Sequence, residues 1–218
     1  MFKNPLCLYK KSCSAHLIKE ILRAFGNIDG IVLDTGCGPG YPTQILQNYC
    51  SSIIGIDIAD ASQNISFQFD KSNISETLSF LSGDATCLPF KNNCFDTVVS
   101  FDVIEHIEND LVYLKEIRRV MKNDAKLLLE TPNVNRLSNK IREVFHPIEY
   151  PLLLGDGCIH VREYSHEALL KLLVSAGFRN INIKGPWLGL PGRFEFGLHK
   201  FPKFFEKYAQ YWFVEAFA

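Results

Sequence analysis

The stretch Ile31–Gly40 reads IVLDTGCGPG, and it restricts the fold more than any other part of the chain. Ile31, Val32 and Leu33 form a short, β-branched, apolar run, which suits a strand buried on both faces. Gly36, Gly38 and Gly40 follow at alternate positions. Glycine reaches positive φ and has no Cβ, so the backbone can turn sharply and a ligand can lie against it. Pro39 stiffens the turn. Asp34 closes the strand with its carboxylate facing the same crevice, and a helix is expected from Tyr41 or Pro42. Strand, glycine turn and helix make the first unit of a doubly wound α/β sheet, whose ligands sit beyond the carboxyl ends of the strands.

The chain's 218 residues fit one such domain with room for an insertion. A net charge of −1 supplies no basic field for nucleic acid, so a nucleic-acid partner is not expected. No apolar run approaches the ~20 residues that span a bilayer, and residues 1–17 lack the apolar core of a signal peptide. A cytoplasmic location is expected. The seven cysteines are odd in number, with no C-x-x-C and no His/Cys cluster at zinc spacing. Reduced thiols and no metal follow.

Helical periodicity over 14–25 predicts a helix with Leu17, Ile18, Ile21, Leu22 and Phe25 on one side, stopped by Gly26. Ser52–Asp57, Leu78–Leu81, Asp96–Phe101 and Ala125–Glu130 read as the next strands, with a helix over 107–122. Asp57 ends its strand after the glycine turn, where a carboxylate's two oxygens can accept both hydroxyls of a ribose. Residues 134–164 break the βα rhythm and carry His146, Tyr150, His160, Arg162 and Tyr164. They are expected to form a lid contacting the substrate. Ser165 caps a helix that ends at Gly177; Asn180–Lys184 is a sixth strand, Pro202 starts a last helix, and Tyr211–Phe217 is the final strand.

Four segments then occur in order: LDTGCGPG, IIGID, SGDA with LPF, and FDVIEH. Together they resemble the class I S-adenosylmethionine-dependent methyltransferases over about residues 28–185. The stretch HVREYSHEALLKLLVSAGF, 160–178, is similar to small members of the ubiquinone-biosynthesis and sugar-modifying branches. The resemblance implies a Rossmann-like seven-stranded sheet with the last strand antiparallel. It implies S-adenosylmethionine as cofactor and S-adenosylhomocysteine as product. The cofactor positions it carries are Asp34, Gly36, Cys37, Gly38, Gly40, Asp57, Ile58, Asp84, Ala85, Phe101 and Asp102, with Asp84 and Ala85 at the adenine.

Methyl transfer is an in-line displacement on an activated sulfonium, so positioning does most of the work. An oxygen acceptor also needs a base, and His106 and His160 are the candidates. The expected acceptor is a small molecule, and the chain is a monomer or homodimer. Two other readings stay open: a nicotinamide-dependent oxidoreductase, which the G-x-G-x-G spacing disfavours, and an inactive cofactor-binding partner protein.

Overall fold

The computed structural model describes residues 5–58, 77–153, 159–190, 194–197 and 203–218. Its centre is a seven-stranded sheet of β1 (Ile31–Thr35), β2 (Ser52–Asp57), β3 (Leu78–Ser82), β4 (Phe95–Phe101), β5 (Met121–Pro132), β6 (Arg179–Lys184) and β7 (Tyr211–Phe217). The spatial order is β3-β2-β1-β4-β5-β7-β6. The first five strands pair in parallel, and β7 runs antiparallel to both β5 and β6. The order reverses at β1 and β4, which opens a crevice at their carboxyl ends.

Alternation along the strands sends successive side chains to opposite faces. Leu33, Val98, Leu127, Leu129 and Val214 build one core with α3 (Asp110–Val120) and α5 (His166–Ser175). Val32, Val99, Leu128 and Phe213 build the other with α1 (Pro5–Phe25) and α2 (Tyr41–Leu46). The resulting α/β/α sandwich is the expected fold.

Helix α3 starts where Asn109 accepts a hydrogen bond from the Val112 amide, and it keeps Asp110 in its first turn and Arg118 and Arg119 in its last. The Ser165 side chain caps α5 through the Ala168 amide, and Gly177 at φ 92° follows its end. Two boundaries differ from expectation. Helix α1 begins at Pro5, nine residues before the periodic run becomes legible, with proline at a position where its missing N–H costs nothing. Residues 203–208 form a 3₁₀ helix, and Pro202 lies outside the described residues.

The insertion after β5 holds α4 (Leu137–Glu143) and a two-stranded ribbon pairing Leu152–Leu153 with Ile159–His160. It is tied to the end of β4: the Val161 amide donates to the Glu105 carbonyl at 2.8 Å. Arg162 donates to the Ile107 and Glu108 carbonyls and pairs with Asp110 at 2.8 Å.

Candidate active site at the carboxyl ends of the strands

The glycine turn lies directly beyond β1. Gly36, Gly38 and Gly40 all have positive φ, between 50° and 74°. A Cβ on Gly36 would stand 2.4 Å from Val103 Cγ2, so glycine is required there for space as well as for φ. The Gly36 amide donates to the Ile56 carbonyl, which pins the turn to β2.

Two carboxylates organise this end of the sheet. Asp57 accepts the Gly38 amide on Oδ2 at 2.6 Å and the Ile58 amide on Oδ1 at 2.7 Å, so it shapes the turn from the end of β2. Each oxygen keeps a second lone pair for a hydroxyl donor. Asp34 is buried under the turn and accepts from Thr43 Oγ1 at 2.6 Å. Burial raises its carboxyl to about 7, although the Thr43 bond opposes the shift. Cys37 is buried in the turn as a free thiol pushed upward by burial, which suits packing rather than nucleophilic chemistry. Cys50, Cys87 and Cys94 are also free.

The adenine-side expectations fall on one exposed turn. Asp84 Oδ1 accepts both the amide and the hydroxyl of Thr86 at 2.7 Å, and these bonds hold its carboxyl below the ordinary range. Ala85 is buried beside it. The following Leu88-Pro89-Phe90 segment is clamped from α3: Arg119 donates to the Leu88 and Phe90 carbonyls, and Glu116 accepts the Leu88 amide.

Beyond β4 the chain turns at Asp102, which has φ 53°, while Phe101 is buried behind it. Here three carboxyls meet. Solvent reaches Asp102, yet protein crowds it closely enough that burial raises its carboxyl, partly offset by Glu105 and the two histidines. Glu105 and Glu130 are fully buried and held well above the carboxylate range, first by desolvation and then by their acidic neighbours. Glu130 Oε2 accepts the Asp102 amide at 3.1 Å, and Glu105 Oε2 accepts Thr131 Oγ1 at 3.0 Å.

His106 and His160, distant in sequence, stack edge to face with ring centroids 4.8 Å apart. His106 Nδ1 lies 2.6 Å from the Ile159 carbonyl, and His160 Nδ1 lies 3.0 Å from Glu163 Oε1. Glu163 is buried, but bonds from His160 and Arg136 hold its carboxyl down at about 2.

The remaining lid residues differ in placement. Tyr164 is buried and donates to Asp110 Oδ2 at 2.9 Å. With Arg162, which also pairs with Asp110, it ties the insertion to the segment that follows β4. Tyr150 has its hydroxyl buried near Glu163 without a well-formed hydrogen bond, and His146 is exposed just beyond α4. The sequence marks no role for Glu105, Glu130 or Glu163; its one usable signal is Glu130, an acid in the otherwise apolar run of β5. A hollow of about 550 Å³ lined by Asp29, Asn48 and Tyr49 lies at the opposite, amino-terminal edge of the sheet, away from this chemistry.

A glycine turn, an acid closing β2 and an open crevice at the strand reversal define a nucleotide-cofactor protein of the Rossmann-like class. A methyltransferase-domain family model matches residues 33–129. A probable S-adenosylmethionine-dependent methyltransferase of Mycolicibacterium smegmatis is 30% identical over 149 residues, covering 67% of this chain and 51% of that protein. The ubiquinone biosynthesis O-methyltransferase of Dinoroseobacter shibae is 27% identical, covering 71% and 62%. The methyltransferase in the complex with the Haloferax volcanii Trm112 methyltransferase activator superposes with a TM-score of 0.68 at 20% identity, covering 95% of this chain and 91% of that one. Residues 33–129 thus carry a methyltransferase domain, similar to those of S-adenosylmethionine-dependent methyltransferases. The chain spans about half the length of the first curated relatives that it matches.

Proposed function

We propose that this protein transfers a methyl group from S-adenosylmethionine to a small-molecule acceptor. The observation that carries this reading is the joint placement of the positive-φ glycine turn and Asp57 on one side of the crevice, with the 102–106 and 159–164 segments walling the other. The cofactor's ribose would share Asp57, and its cationic amino-acid end would lie near Asp34. The acceptor would enter beside Asp102, His106 and His160.

The reaction forms a bond from the acceptor atom to the methyl carbon while the carbon–sulfur pair returns to sulfur. A cationic sulfonium becomes a neutral thioether, so the enzyme's contribution is alignment and exclusion of water. The near-neutral net charge and the acidic residues Asp102, Glu105 and Glu130 beside the crevice favour a small acceptor over a polyanion. The methyltransferase-domain match over residues 33–129 disfavours the oxidoreductase reading. No helix among the described residues is long and apolar enough to cross a membrane.

The test is a panel of acceptor classes, including small phenols, amines, sugars and tRNA, scored by S-adenosylhomocysteine release. Turnover of a small acceptor and none of tRNA is expected. Turnover of tRNA alone would overturn the acceptor class. No turnover by a folded, cofactor-binding protein would favour a partner role.

A further inference from the structure

We infer that Glu105, His106 and His160 form a binding site for one divalent transition-metal cation on the acceptor side of the crevice. Each of the three offers one ligand atom, and these atoms all lie within 4.8 Å of one another. Glu105 Oε1 is 3.9 Å from His106 Nε2. Zinc bonds of 2.0–2.2 Å in a tetrahedron place ligand atoms about 3.4 Å apart, so that pair needs to close by only about 0.5 Å.

The groups behind these ligands are arranged as a metal site requires. A carbonyl oxygen only accepts, so His106 Nδ1 carries the proton it donates to Ile159, and Nε2 carries the lone pair. His160 Nδ1 donates to Glu163, whose carboxylate Arg136 also binds, so its Nε2 likewise carries the lone pair. A carboxylate behind a ligating histidine fixes its tautomer and ring orientation and raises its basicity. Glu105 is anchored through Oε2 by Thr131, while Oε1 is buried with no hydrogen-bond partner. Leaving a buried carboxylate oxygen bare is costly unless something compensates it. A cation there would compensate it.

Two imidazoles and one carboxylate suit zinc, iron, cobalt or manganese better than magnesium or calcium. Three protein ligands leave at least one position open, and this position adjoins the crevice. Resting on the methyltransferase reading, that position would take an acceptor hydroxyl. A metal held there would lower the hydroxyl's pKa so that its proton could pass to water, and the oxygen's electron pair would then form the new bond to the methyl carbon as the carbon–sulfur bond breaks onto sulfur.

The experiment is a titration of the full chain, stripped with chelator, with Co²⁺ followed by visible absorption and with Zn²⁺ by calorimetry. One saturable site per chain is expected, weakened at least tenfold in His160→Ala and in the partly exposed His106→Ala. Glu105→Gln is a third variant, and thermal melts confirm that each variant is folded. No saturable binding to the folded wild type, or equal binding in both histidine variants, would overturn the site. S-adenosylhomocysteine binding is measured on the same metal-free sample. If it persists while the metal fails to bind, the metal site alone is wrong; if it is lost while the metal binds, the methyltransferase reading alone is wrong.

Discussion

Asp34 sits fully buried at the end of β1 with a carboxyl raised to about 7, mainly by desolvation. A carboxyl raised in the folded state stabilises the fold at low pH. That contribution is complete below the unfolded value near 4 and is lost as pH rises toward 7. Asp34→Asn removes this dependence. Between pH 5 and pH 8 the wild type should therefore lose about 2–3 kcal/mol relative to the variant, at ~1.4 kcal/mol per unit of pKa. Denaturant melts at both pH values read the difference, and parallel profiles would show that Asp34 is ordinary. Gly36 is governed by space. Gly36→Ala meets both positive φ and the 2.4 Å approach to Val103, and should cost about 2–4 kcal/mol. A loss under 0.5 kcal/mol would mean that the turn relaxes freely.

At the scale of elements, the described part of the insertion at 134–164 is tied to the segment that follows β4. Tyr164 and Arg162 tie it to Asp110 and to the carbonyls that follow β4. Tyr164→Phe should lower stability by about 1 kcal/mol, the usual worth of one hydrogen bond, and leave S-adenosylhomocysteine affinity within about threefold. Reduced turnover at unchanged stability would instead place the hydroxyl on the acceptor. The strands themselves were legible because strand identity follows local patterning, as in SIIGID and DTVVSF, and the antiparallel last strand followed from the family resemblance; the spatial order of the strands came only with the fold. The amino-terminal part of α1 was not legible, because Pro5–Ser14 mixes lysines and cysteines without a clean apolar stripe. Asp57 was marked by its place after the glycine turn. The pairing of His106 with His160 was not marked: it arises only when the insertion folds back onto β4, and no local pattern records such a return. The bond from Tyr164 to Asp110 was not marked for the same reason, since only the packed fold brings the two together.

Across the whole molecule, two apolar layers clamp one sheet, and the carboxyl ends of its strands are where ligands of this fold class bind. The layer on the α1 side is tested by Ile21→Ala. Ile21 is 2% exposed and packs in the core that includes Val32 and Phe213, so its truncation should cost about 2–4 kcal/mol in a denaturant melt. An unchanged midpoint would mean that α1 is not docked on the sheet. The central claim concerns the crevice itself: the glycine turn and Asp57 form a site for S-adenosylmethionine and its product. Calorimetry with S-adenosylhomocysteine on wild type and Asp57→Ala tests it directly. The account predicts one site per chain, with affinity falling about tenfold to a hundredfold in the variant, the worth of hydrogen bonds to a charged group. Absence of binding to the folded wild type, or equal affinity in the two proteins, would contradict it.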